Sequence, residues 1–203
     1  MVDPPPPTSN NVTGKSELRN RMRSLRREHV ASLPDSTRAL LFRRPPSPLV
    51  SLLPEGAPIG LYHARGAEAP TQAYANWLFE QGHPLALPWF ESRDAPMRFR
   101  AWENPHVAET LTEGPYGVAQ PHVDAELVIP RIAIVPVTAF TARCDRLGQG
   151  GGHYDRWLAE NPDTVPIGLA WDCQLVDAFP VEPHDRSMDM IITPTRLFEK
   201  GQT

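Results

Sequence analysis

Short apolar runs alternate with amphipathic stretches along the chain from residue 58 onward. Pro58-Ile-Gly-Leu-Tyr62, Pro84-Leu-Ala-Leu-Pro88 and Ile132-Ala-Ile-Val-Pro136 carry no charged or amide side chain. Runs of that length without alternation suit strands covered on both faces. Val165–Ala170 and Met188–Ile192 are further strand candidates, and Met97–Trp102 alternates as a half-exposed strand does. Residues 71–81 place Tyr74, Trp77 and Leu78 on one helical face, and another helix is expected over about 152–160. This strand–helix alternation predicts an α/β fold, a single three-layer domain with a mostly parallel sheet and helices on both faces. Ligands of such sheets sit beyond the carboxyl ends of the strands, which directs attention to the residues after Tyr62, Pro88 and Pro136.

Ahead of the sheet, residues 1–12 are Pro-rich and polar and are expected to form a disordered tail, leaving 13–203 as the domain. A basic helix is predicted from about Gly14 to Val30, where Lys15, Leu18, Met22 and Leu25 recur at three- and four-residue intervals. Asp35 or Ser36 can cap a short second helix over 36–43, which Pro45 and Pro46 stop. Residues 44–57 read as a connection, and the chain shows no internal repeat.

Composition narrows the function classes. Among 203 residues, 40% hydrophobic and 22% charged are globular values, which excludes wholesale disorder. No apolar run approaches the roughly 20 residues that span a bilayer, and the N-terminus lacks the basic-then-apolar order of a secretory signal. Cys144 and Cys173 make neither a disulfide framework nor a zinc site. A net charge of -4, and an Arg-rich stretch over 19–27 without interleaved aromatics, argue against a nucleic-acid module. The expectation is a cytoplasmic monomer with small-molecule partners and neither membrane nor nucleic acid among them.

The stretch richest in chemistry is Arg143-Cys-Asp-Arg-Leu-Gly-Gln-Gly-Gly-Gly-His-Tyr-Asp-Arg156, which follows a buried strand and leads into a helix. Glycines 148, 150, 151 and 152 let backbone N–H groups approach a ligand closely, and the helix start adds unpaired N–H groups, so the turn suits a phosphate. Arg146 can add a permanently charged, bidentate partner. The pattern is neither a Walker loop, since His153-Tyr154 replaces Lys-Ser/Thr, nor the dinucleotide fingerprint, since His153 stands at the required last glycine. A flexible surface loop with a helix cap is the plainer alternative.

Arg146-Leu-Gly-Gln-Gly-Gly-Gly-His-Tyr-Asp-Arg156 resembles the signature of the 5-formyltetrahydrofolate cyclo-ligase (5,10-methenyltetrahydrofolate synthetase) family, roughly Arg-Leu-Gly-x-Gly-x-Gly-aromatic-Tyr-Asp. Lys15-Ser-Glu-Leu-Arg19 is similar to the family's N-terminal Lys-x-x-Leu-Arg. Tyr62–Glu68, Leu87-Pro88, Met97–Trp102, Gly117–Pro121, Pro136–Phe140, Ile167–Ala170 and His184–Thr193 follow in the family's order, so the resemblance spans about 15–198. It departs at Thr141, where the family usually has Asp, at Cys144, usually Gly, at Gln149, often aromatic or Arg, and at His153, usually aromatic.

The resemblance implies ATP-dependent cyclisation of 5-formyltetrahydrofolate to 5,10-methenyltetrahydrofolate through a phosphorylated formyl group, with Mg2+. It assigns catalysis to Arg146, Lys15 and Tyr154, and ATP binding to Lys15, Arg19, Arg146, Leu147, Gly148, Gln149, Gly150, Gly151, Gly152, His153 and Tyr154. Glu68, His63, Gln149, Gly152 and His153 would meet the folate, and Asp155 with Asp189 would hold Mg2+, Asp185 being able to replace Asp189. Trp89 and Trp102 are further candidates for the pocket wall. By residue type alone, Lys15 and Arg19 equally suit a solvated basic face, Asp155 a favourable acid at a helix start, and Glu68 a surface loop. A related α/β phosphotransferase or sugar-phosphate isomerase, acting on another substrate, is the competing reading.

Overall fold

A computed structural model describes residues 11–201. The tail expected over 1–12 lies outside the described residues except for Asn11 and Val12, which begin helix α1 (Asn11–Ser32). Helix α2 (Asp35–Arg38) is shorter than the 36–43 expected. The chain leaves the helix so that Phe42, at a φ of 54°, packs its ring on Trp171 and Tyr74 at 5.1 and 6.4 Å. The expected connection over 44–57 contains a helical turn, α3 (Ser47–Val50), with Pro48 in its first turn and Leu49 buried.

The remaining elements are β1 (Ile59–Gly60), α4 (Gln72–Glu80), β2 (Leu85–Trp89), β3 (Arg98–Trp102), β4 (Leu111–Glu113), β5 (Ala119–Pro121), β6 (Leu127–Val128), β7 (Ile132–Pro136), β8 (Ala139–Phe140), β9 (Arg146–Leu147), α5 (His153–Glu160), β10 (Val165–Leu169), β11 (Met190–Ile192) and β12 (Leu197–Glu199). Eight of these strands form one sheet in the order β12-β11-β10-β7-β1-β2-β3-β6. The run from β11 to β2 is parallel throughout, and β12, β3 and β6 join through antiparallel pairs. The sheet is therefore mostly parallel, as expected.

Its two faces follow from the period of two along β7. Ile132 and Ile134 pack with Leu85, Leu87 and the α4 residues Tyr74 and Leu78. Ala133 and Val135 pack with Phe99 and the α5 residues Trp157 and Leu158. Helices cover both faces, giving three layers.

Two hairpins have no counterpart in the sequence expectation, because strands of two or three residues are too short to display a period. The β4–β5 hairpin pairs Leu111–Glu113 with Ala119–Pro121. The β8–β9 hairpin separates β7 from the glycine-rich turn and places Arg146 and Leu147 on a strand rather than in the turn. At its tip Thr141 Oγ1 donates to Asp145 Oδ2 at 2.8 Å, and buried Cys144 adopts a φ of 66°. A glycine adopts that left-handed backbone without strain. Among the described residues no helix is long and apolar enough to cross a membrane.

Candidate active site

The carboxyl ends of β1, β2 and β7 open on one rim of the sheet, and the chain beyond each lines a cleft of about 330 Å3. β1 leads into Tyr62, His63 and Glu68, β2 into Phe90, and β7 ends at Pro136. The opposite wall is the glycine-rich turn with His153, Tyr154 and Asp155, and the β4–β5 hairpin closes one side with Tyr116 and Gln120. Gln120 fastens that hairpin by exchanging two hydrogen bonds with the Phe90 backbone, at 3.1 and 3.0 Å. Trp89 and Trp102 are buried and line neither cavity; Trp89 instead lies under the Arg100 guanidinium at 4.2 Å.

A second, polar cavity of about 640 Å3 lies on the far side of the same turn. Gly148, Gly151, Gly152 and Asp155 line both. The second cavity is also walled by Lys15 and Arg19 of α1, Arg156 of α5, and Glu182–Arg186. Lys15 and Arg19 thus leave the solvated face that their spacing alone allowed.

The turn is held by its carbonyls. Arg19 Nε donates to Gly148 O at 3.0 Å, Arg23 Nη2 to Gln149 O at 2.6 Å, and Arg156 Nη2 to Gly151 O at 2.8 Å. The amides of Gln149, Gly150, Gly151 and Gly152 donate to no backbone acceptor among the described residues, and Gly152, at a φ of 64°, caps α5. Uncommitted amides beside a helix N-terminus form an anion-binding concavity.

Arg146 is the best-buried cation at the site. Its Nη2 donates to Asp155 Oδ1 at 2.8 Å and its Nη1 to Pro136 O at 3.2 Å, while the guanidinium lies 5.9 Å from the centre of the Tyr154 ring. Burial, with the charge of Glu68, pushes the Tyr154 phenol well above its usual value, Arg146 opposing, so Tyr154 stays protonated. Asp155 spends Oδ1 on Arg146 and on the Arg186 amide at 3.3 Å, which leaves Oδ2 without a protein hydrogen bond among the described residues.

Lys15 Nζ donates to Glu182 Oε2 and Asp185 Oδ2 at 2.6 and 2.7 Å. Burial works against its ammonium, but the bonds to Asp185 and Glu182 outweigh it, and Lys15 sits above the ordinary lysine value. Asp185 therefore shares the polar cavity with Asp155. Asp189 does not: it is exposed, lines neither cavity, and its backbone is committed to Pro166 and Lys200. Asp155 and Asp189, expected together, lie apart, because β11 begins at Met190 and carries its preceding residue toward the amino end of the sheet.

His153 is held from both sides. Arg156 Nη2 faces Nδ1 at 3.2 Å and Tyr116 Oη faces Nε2 at 3.2 Å. Arginine can only donate, and the Tyr116 hydroxyl already donates to Arg93 O, so Nε2 carries the proton. Burial and then Arg156 lower the His153 value, so the ring is neutral at pH 7. Its ring meets Phe90 and Tyr116 edge-on at 5.0 and 5.5 Å, an aromatic wall for the apolar cleft.

Glu68 accepts from the Arg65 backbone N–H at 2.9 Å and from Gln149 Nε2 at 2.7 Å. His63 lines the cleft, and Leu147 lines the polar cavity from beneath the turn. Phe90, Tyr116, Gln120, Arg156 and Glu182 were missed from sequence. Gln120, inside the Gly117–Pro121 segment, and Arg156, at the end of the glycine-rich signature, carried a signal.

A family model of the 5-formyltetrahydrofolate cyclo-ligase family matches residues 11–194. The 5-formyltetrahydrofolate cyclo-ligase of Escherichia coli (strain K12) is 28% identical over 188 residues, covering 90% of this chain and 99% of that one. The enzyme of the same name from Haemophilus influenzae is 36% identical over 136 residues, covering 63% of this chain and 70% of its own. Among solved structures, the Aquifex aeolicus 5,10-methenyltetrahydrofolate synthetase superposes with a TM-score of 0.64 at 22% identity, over 93% of this chain and 94% of that one. It carries the same fold.

Proposed function

Because the chain belongs to the 5-formyltetrahydrofolate cyclo-ligase family, we propose that it converts 5-formyltetrahydrofolate and ATP into 5,10-methenyltetrahydrofolate, ADP and phosphate. The single observation that carries the two-substrate reading is the shared wall: one glycine-rich turn separates an apolar, aromatic-lined cleft from a polar cavity lined with cations. A reduced pterin suits the first and a triphosphate the second, so the reacting groups meet at the turn.

An amide oxygen is a poor leaving group, and phosphorylation makes it a good one. The formyl oxygen attacks the γ-phosphorus, a P–O bond forms, and the bond to the β-phosphate oxygen breaks to release ADP. The 10-nitrogen then attacks the formyl carbon and loses its proton, and phosphate departs with the former formyl oxygen. Such chemistry asks a protein for positioning and positive charge. Arg146, in the wall of the apolar cleft beside the turn, stabilises charge on the transferred group; Lys15, Arg19 and the amides of 150–152, which donate to no backbone acceptor among the described residues, hold the triphosphate. Tyr154, kept protonated, donates to the same oxygens. Glu68 accepts from the amino-pyrimidine edge, with His63 and His153 lining the cleft.

Mg2+ favours one or two carboxylates plus phosphate oxygens and water. The unpartnered Oδ2 of Asp155 fits that demand, with Asp185 as the second carboxylate of the cavity. When bound, the ion would neutralise charge between the phosphates. The enzyme works in the cytoplasm as a monomer with residues 13–203 as one domain.

The test is the ultraviolet absorbance of the methenyl product from purified protein, 5-formyltetrahydrofolate, ATP and Mg2+. Both reduced folate and ATP should also raise the melting temperature. Folded protein that forms no product overturns the proposal.

A further inference from the structure

One side chain ties the glycine-rich turn to the folate cleft. Gln149 Nε2 donates to Glu68 Oε1 at 2.7 Å, while Arg23 Nε donates to Gln149 Oε1 at 3.2 Å and Arg23 Nη2 to the Gln149 carbonyl at 2.6 Å. A guanidinium can only donate and a carboxylate can only accept. These neighbours therefore allow one orientation of the amide, oxygen toward Arg23 and nitrogen toward Glu68. The other carboxylate oxygen, Oε2, accepts from the Arg65 backbone N–H at 2.9 Å. Both oxygens of Glu68 are engaged, and Gln149 covers the one that is not tied to its own loop.

We propose that Gln149, oriented by Arg23, is a specificity-determining stand-in for the donor edge of the reduced pterin, which displaces it from Glu68 on binding. The inference rests on the reading of Glu68 as the pterin's acceptor given above. A primary amide and an amino-pyrimidine offer a carboxylate the same kind of N–H group. A ligand with a single donor gains nothing by replacing Gln149, whereas two adjacent donors gain a second charge-assisted bond. The clasp thus admits paired donors and discriminates against lone ones. Arg23 acts only through Gln149 and is a positioning residue.

Calorimetric binding of 5-formyltetrahydrofolate to wild type, Q149A, R23M, the double variant and E68Q tests this. Removing the competitor should lower the Kd of Q149A about three- to tenfold, the equivalent of one net hydrogen bond. R23M, which releases the amide, should shift Kd in the same direction, and the double variant should add nothing to Q149A. The Kd of Q149A for a non-hydrolysable ATP analogue with Mg2+ should show no such tightening, since the amide removed faces Glu68, whereas a turn that merely loosened would weaken both ligands. A folate Kd at or above wild type, or weakening of both ligands, overturns the proposal. If E68Q binds folate as wild type does, the assignment of Glu68 itself fails. If E68Q is weakened and Q149A is not tightened, the stand-in role alone fails.

Discussion

Replacing Arg146 by Ala separates what this side chain does for stability from what it does for rate. The Arg146 side chain is 3% exposed and its partner Asp155 16%, at 2.8 Å. Breaking a fully buried ion pair from one side costs about 3–5 kcal/mol. Asp155 keeps some water and the Arg186 amide, so about 2 kcal/mol is expected, or roughly 4–8 °C in Tm for a domain of this size. A domain with about 5–15 kcal/mol in hand remains folded at 25 °C. The rate should suffer more. Removing one preorganised donor to developing charge costs about 100- to 1,000-fold in kcat, or roughly 3–4 kcal/mol. R146K keeps the charge but cannot reach Asp155 and Pro136 at once with a planar fork, so it should recover stability more than rate. Steady-state formation of the methenyl product at saturating ATP and folate, beside thermal unfolding followed by circular dichroism, measures both. A folded R146A with kcat within tenfold of wild type refutes the role given to Arg146.

Three further outcomes follow from particular contacts. A Cβ on Gly148 would lie 2.8 Å from Arg146 Nη1, a guanidinium pinned by Asp155 and Pro136, so G148A should lower kcat at least about tenfold while costing only about 1 kcal/mol of stability; wild-type kcat would contradict this. At Cys144 the left-handed backbone reverses the usual ranking, and C144G should be more stable to thermal unfolding than C144A by about 1 kcal/mol, where glycine ordinarily loses by a similar amount. Burial raises Asp172, but hydrogen bonds from Thr193, Thr195 and Arg196 outweigh it and hold it below the usual aspartate value. A group depressed on folding contributes stability above its unfolded value of about 3.9 and loses it as pH falls through the folded one. The Tm gap between wild type and D172A should therefore be constant near about pH 6–8 and shrink below about pH 4; a gap that widens on acidification would exclude the argument.

Local signals in the sequence determined a good part of this protein. The buried runs at 59–60, 85–89, 132–136 and 165–169 are strands, and the helices at 72–80 and 153–160 lie where their apolar faces place them. Clustered glycines between a strand and a helix marked the turn that lines both cavities, because backbone freedom is written into residue type. Only the tertiary structure decided which charges meet. Lys15 finds Asp185 across 170 residues of chain, and Gln149 finds Glu68 across 81. Asp185 and Asp189, four residues apart, end in a cavity and on an exposed strand start, respectively. Periodicity and turn chemistry depend on neighbours within a few positions, whereas ion pairs depend on how whole layers pack. The sheet and its turn are therefore legible along the chain, and the partners of its charges are not.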